Sequence, residues 1–156
     1  MPIYLVRHGE AKPDTEDPAR PLSGRGRDEI ERVAREATRL SFRVAEIRHS
    51  GLLRAQQTAE ILAAHLAPAR GIRAVDGLRP DDDPEGIRPE CEAAADPVML
   101  VGHLPHLGRL AALLLVEDPE RELIPFETGT MAALARTEGR WVVLHVLVPG
   151  PARRGG

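Results

Sequence analysis

Three arginines and two histidines stand where an apolar run gives out or a helix begins. Arg7 and His8 end the stretch "IYLVRHGEA", with Gly9 directly after them. His103 follows the apolar Val98–Val101 and Gly102. Arg54 lies in "RHSGLLRAQQTA", and Arg20 in "RPLSGRG". Guanidinium groups around a cleft hold phosphate well, because they stay charged and fork onto two oxygens. A histidine among them tends to stay neutral, since protonation adds like charge. A neutral imidazole nitrogen is a competent nucleophile toward phosphorus. Gly9 lets the backbone approach His8, so that a carbonyl can take the proton of one ring nitrogen and leave the other bare. Each residue alone has a plainer reading: a chance tripeptide, a solvated helix arginine, a loop histidine. Their shared placement speaks for the joint one.

That placement depends on the elements. Strand-like and helix-like stretches alternate, which predicts an α/β layer structure with a mainly parallel sheet. Strands are expected at Pro2–Arg7, Val44–Ile47, Ile72–Val75 and Val98–Val101. Ser23 is a helix N-cap, and Ile30, Val33, Ala37 and Leu40 recur at helical spacing up to Leu40. A second helix is expected over 52–66, a short one over Glu90–Ala95, and another after His103. Residues 77–90, "GLRPDDDPEGIRPE", read as loop. Met131–Ala135 and Trp141–Val148 form a hairpin around Glu138-Gly139. In open parallel sheets ligands bind beyond the carboxyl ends of the strands. His8 and His103 can therefore face one crevice.

The bulk properties exclude several classes. The 156 residues suit one domain, expected over 1–148 with 149–156 a disordered tail. The net charge of −3 gives no general pull toward nucleic acid or anionic membrane, so neither is expected as a partner. Lys12 is the only lysine, so the position of each arginine is informative and the number of arginines is not. One cysteine, Cys91, excludes an internal disulfide and fits a reducing compartment; packing is its expected role. The longest apolar runs are too short to span a bilayer, and no signal-peptide pattern opens the chain, so a cytoplasmic protein is expected. No carboxylate joins His103 and His106 at ligand spacing, and no metal or cofactor is expected. His49, His65, His106 and His145 are weaker candidates.

The segments "LVRHGEA", "RPLSGRG", "SGLLRAQQTAEIL" and "VGHLPHLGRL" resemble, in order, the signature segments of the histidine phosphatase (phosphoglycerate mutase-like) superfamily. The short length and the "HLP" after the fourth strand point to its SixA-like phosphohistidine phosphatase branch. The resemblance implies a three-layer α/β/α sandwich and a covalent phosphohistidine intermediate. By motif, His8 would be the nucleophile, Arg7 and Arg54 would hold the phosphoryl oxygens, and His103 would stand opposite. Arg20 would add a phosphate contact. Ser50 falls where the family usually reads Ser-Pro, with Gly51 here in place of proline. Thr128, Gly129 and Thr130 resemble the small polar segment at which a late strand nears the site.

Larger relatives carry an acidic proton donor after the third strand, whereas Asp81, Asp82 and Asp83 sit in no such motif and read as a solvated turn. An alkoxide leaving group needs an acid, but imidazole, with a pKa of about 6.5, can leave neutral once protonated. The expected substrate is therefore phosphohistidine in a protein. The alternatives are a phosphatase for small phosphorylated esters, with one of those aspartates as acid, and a non-catalytic phosphate-binding module on the same scaffold.

Overall fold

The structure is a computed structural model that describes residues 1–150. Strands β1 (Pro2–Arg7), β2 (Glu46–His49), β3 (Ile72–Ala74), β4 (Val98–Gly102), β5 (Met131–Thr137) and β6 (Arg140–Leu147) form one sheet in the order β3-β2-β4-β1-β5-β6. The first four in that order run parallel, while β5 is antiparallel to β1 and β6 to β5. Helices α1 (Gly24–Arg39), α2 (Leu53–Leu66), α3 (Arg88–Ala93) and α4 (His106–Val116) complete the chain.

Side-chain alternation splits the core in two. Ile3, Leu5, Val98, Leu100, Ala132 and Leu134 pack with Leu107, Leu110 and Leu114 of α4 and with Ile87 and Cys91. Tyr4, Val6, Met99, Val101, Met131 and Ala133 pack on the other face with Ile30, Val33 and Ala37 of α1 and Ala55, Ala59 and Leu62 of α2. Helices thus cover both faces of the central strands, which is why β1 and β4 read as unbroken apolar runs. This is the expected three-layer α/β/α sandwich.

Ser23 caps α1 as expected, its Oγ accepting from the Gly26 N–H at 3.0 Å. Strand β2 lies two residues later than the apolar pattern suggests. Its polar members are accommodated because the buried Glu46 accepts from Arg48 at 2.6 Å and from Arg73 at 3.1 Å. Residues 77–90 are not all loop: Pro84–Gly86 forms a 3₁₀ turn, and α3 begins at Arg88 with Pro89 in its first turn, where a missing N–H costs nothing. Burial pushes the Cys91 thiol up to about 12, in keeping with a packing role. Of the expected tail, the Pro149 and Gly150 carbonyls accept from Arg32, and residues 151–156 lie outside the described residues. No helix among the described residues is long and apolar enough to cross a membrane.

Candidate active site

The register of the parallel strands assembles the site. Arg7 pairs with Gly102 across β1 and β4, so the next residue on each strand is a histidine. Adjacent strands lie about 4.8 Å apart, and the His8 and His103 ring centroids are 4.9 Å apart. The His8 N–H donates to the Gly102 carbonyl at 3.1 Å, tying the two strand ends together. Because β5 is antiparallel, its starting end reaches the same edge. Gly129 N–H donates to the Arg7 and His8 carbonyls at 3.0 and 3.1 Å, and Arg7 N–H donates to the Thr130 carbonyl at 3.0 Å.

His8 is buried, at 7% exposure, and its Nδ1 lies 2.6 Å from the Gly9 carbonyl. A carbonyl can only accept, so Nδ1 carries the proton and Nε2 presents its lone pair. Burial is the largest force on its ionisation and lowers its pKa to about 4. The Gly9 hydrogen bond opposes that shift, while Arg54, Arg7 and Arg20 reinforce it. The neutrality expected from surrounding arginines is therefore owed first to desolvation. His103 is lowered to about 3 by burial and then by His8, Arg54, His106 and Arg20.

The arginines differ in how they are held. Arg7 Nη1 donates to the Phe126 carbonyl at 2.8 Å, and its buried Nε has no partner. Arg20 adopts a left-handed backbone, φ 49°, and its Nε donates to the Lys12 carbonyl at 3.1 Å. Arg54 occupies the first turn of α2, with its pKa lowered by burial and then by Arg20. Arg54 and Arg20 both lower the pKa values of His8 and His103, so the four side chains share one electrostatic neighbourhood. Three buried polar atoms beside it lack partners among the described residues: Arg7 Nε, His103 Nδ1 and Thr130 Oγ1. Buried polar groups are rarely left so, and donors of this kind suit an oxyanion.

Close packing fixes the loop after His8. A Cβ on Gly9 would stand 2.6 Å from the Gly26 carbonyl oxygen, and one on Gly26 would stand 2.0 Å from that of Glu10. The second glycine of "SGRG" is thus as necessary as the first residue after His8. Thr58 of α2 accepts from the Gly9 N–H at 3.2 Å and donates to the Arg54 carbonyl at 2.8 Å, joining the loop after His8 to the first turn of α2. Glu29 of α1 accepts from the Glu10 N–H at 2.8 Å and from the Thr128 hydroxyl at 2.9 Å, and its charge supports Arg7. The sequence reading passed over Thr58 and Glu29. Their one signal was polarity at positions that the helical spacing turns inward.

The remaining candidates fall elsewhere. Asp82 accepts from the Arg79 N–H and Asp83 from the Glu85 N–H, closing local turns; no described hydrogen bond or ion pair joins Asp81, Asp82 or Asp83 to the histidines or arginines of the site. His65 pairs with Glu31 at 2.6 Å, and His145 packs tilted against Phe42, with ring centroids 5.2 Å apart. His49 Nδ1 accepts from the Gly51 N–H at 3.1 Å. Among the described residues no group of three His, Cys, Asp or Glu side chains is placed to hold a metal ion.

Comparison with known proteins finds relatives of both sequence and fold. Residues 3–80 match the histidine phosphatase superfamily (branch 1). An uncharacterized protein of Picosynechococcus sp. is 39% identical over 119 residues, 71% of either chain. The structure of the protein histidine phosphatase SixA complexed with tungstate superposes with a TM-score of 0.83 at 26% identity, covering 96% of this chain and 97% of that one. A candidate phosphohistidine phosphatase SixA from Agrobacterium tumefaciens gives 0.79 at 28% identity, covering 96% and 98%. A phosphoserine phosphatase mutant from Entamoeba histolytica shares the fold, at 0.70 and 15% identity over 93% and 95%.

Proposed function

The chain belongs to the histidine phosphatase superfamily, and we propose that it is a phosphatase that removes the phosphoryl group from phosphohistidine in a protein. The phosphoryl oxygens bind among Arg7, Arg20, Arg54 and His103. His8 Nε2 attacks phosphorus in line as the P–N bond to the substrate imidazole breaks, and that imidazole leaves neutral because its other ring nitrogen already carries a proton. Water then attacks phosphorus, the P–Nε2 bond breaks, and the water's proton leaves with inorganic phosphate or solvent. Charge spreading over the equatorial oxygens meets fixed donors, the main source of catalysis in phosphoryl transfer.

The single observation that carries the reading is His8, whose Nδ1 is engaged by the Gly9 carbonyl at 2.6 Å while its ring stands 4.9 Å from His103. The choice of phosphohistidine over an ester is supported by Asp82 and Asp83, two of the three candidate acids, each of which accepts from a backbone N–H of its own turn. Brief mixing with a radiolabelled phosphohistidine peptide, followed by alkaline quench, should trap an acid-labile phosphoenzyme that His8→Ala lacks. A panel with aryl and sugar phosphates ranks the substrates; faster turnover of a sugar phosphate would select the ester phosphatase instead. Tight phosphate binding without any phosphoenzyme would select the non-catalytic module.

A further inference from the structure

Ser50, to which the mechanism gives no task, makes the contact that decides what His103 can do. It follows the last residue of β2, and since His49 pairs with Val101, Ser50 comes level with Gly102, one residue before the histidine. Its side chain is buried, at 4% exposure. Ser50 Oγ accepts from the Leu52 N–H at 3.3 Å and lies 2.6 Å from His103 Nε2. His103 Nδ1 is buried and has no partner among the described residues.

We infer that Ser50 is a positioning residue that holds neutral His103 with its proton on Nδ1, so that His103 meets the phosphoryl group as a hydrogen-bond donor. A hydroxyl has one proton to give. Among the described residues the Ser50 hydroxyl has no hydrogen-bonding partner besides the Leu52 N–H and His103 Nε2, and an N–H cannot accept. If the hydroxyl donates to Nε2, one donor alone stays unmatched, the Nδ1–H, which an anionic oxygen completes. If Nε2–H donates to Oγ instead, two groups stay unmatched: the serine proton and the Nδ1 lone pair. A buried unmatched polar group is costly, so the first arrangement prevails. The second would also turn a lone pair toward anionic oxygens. Burial and the neighbouring arginines keep His103 uncharged, so its value to the phosphoryl group rests on which nitrogen bears the single proton.

The two histidines thereby carry their protons on the same nitrogen for opposite reasons. His8 is fixed by an acceptor at Nδ1, which frees Nε2 to attack. His103 is fixed by a donor at Nε2, which makes Nδ1–H the group on offer. The catalytic consequence rests on the phosphatase reading, whereas the tautomer does not.

Nitrogen-15 NMR of the histidine rings at pH 7.5, with His103 identified through His103→Gln, reads the tautomer directly. The wild type should show Nδ1 protonated and Nε2 bare in His103. Ser50→Ala should move the proton wholly or partly to Nε2 and lower kcat on a phosphohistidine peptide about tenfold, with KM changed much less, as the loss of one buried hydrogen bond implies. Ser50→Thr, which keeps the hydroxyl, should restore both. An Nε2–H pattern in the wild type overturns the inference, as does a Ser50→Ala protein with unaltered tautomer and kcat. Nδ1–H in a wild type that turns over neither phosphoramidate nor phosphate ester upholds the role of Ser50 and overturns the phosphatase reading instead.

Discussion

Lowering the pH from 7.5 to 5 should leave the nucleophile uncharged. The fall of the His8 pKa from 6.5 to about 4 amounts to about 3 kcal/mol against the imidazolium, at about 1.4 kcal/mol per pH unit. At pH 5 an ordinary histidine is only about 3% neutral, whereas one titrating near 4 is about 90% neutral. The direction follows from linkage. Folding depresses the pKa, so the unfolded chain takes up the proton first. The stabilising contribution is full above about 6.5 and drains away as the pH falls from there toward 4. His103, lowered to about 3, behaves alike. The assay is an NMR titration of the ring carbon protons, with His8→Gln for assignment, beside melting curves at each pH. His8 should stay neutral down to pH 5 while the melting temperature declines from pH 6.5 downward. A His8 midpoint near 6.5 would refute the claim that burial, more than the arginines, governs this ring. So would a midpoint restored to 6.5 by Arg54→Ala alone, since burial outranks that charge.

Arg54→Ala should lower kcat/KM by roughly 10²–10³, the usual loss on removing one transition-state donor; a change under threefold counts against its contact with the phosphoryl group. Arg20→Ala should cost less, about tenfold, because Arg20 is only partly buried and is held through Nε by one carbonyl. Gly26→Ala should destabilise the fold by about 1–3 kcal/mol in urea titrations, and activity should fall further than the lost stability explains. Its Cβ would displace the Glu10 carbonyl, two residues from the nucleophile. His106 is fully buried with neither ring nitrogen partnered. His106→Leu should therefore raise stability by about 1 kcal/mol, or about 2–4 °C in melting temperature; a lower melting temperature would mean that the imidazole has a partner in solution.

The strand ends were legible in the sequence because a strand buried on both faces leaves an unbroken apolar run, and a polar residue after it marks the edge. Arg7-His8 and Gly102-His103 both carry that mark. Ser23 was legible as a cap because its hydroxyl has one obvious use before a helix. Strand β2 was legible only in part. Glu46, Arg48 and His49 look foreign to a strand until Arg73 is known to stand across from Arg48 in β3, a pairing of distant residues that no local pattern shows. The two-residue displacement matters, because it is what carries Ser50 to the level of Gly102. Thr58 and Glu29 stayed hidden for a related reason. Each serves the site through backbone groups of another segment, and nothing in a side chain's own neighbourhood records that.

Burial performs two opposed tasks at this sheet edge. It strips water from His8 and His103 and so, with the neighbouring arginines, holds both rings uncharged well below the pH at which a free imidazole takes up its proton. It also desolvates Arg7 and leaves its Nε, His103 Nδ1 and Thr130 Oγ1 without partners, an expense to the folded chain alone. In the proposed reaction a tetrahedral anion would relieve that second effect by giving those groups oxygens to engage. The arrangement is therefore least comfortable when alone and most comfortable around charge on phosphorus. That difference, set by donors fixed in advance, is what lowers the barrier to transfer.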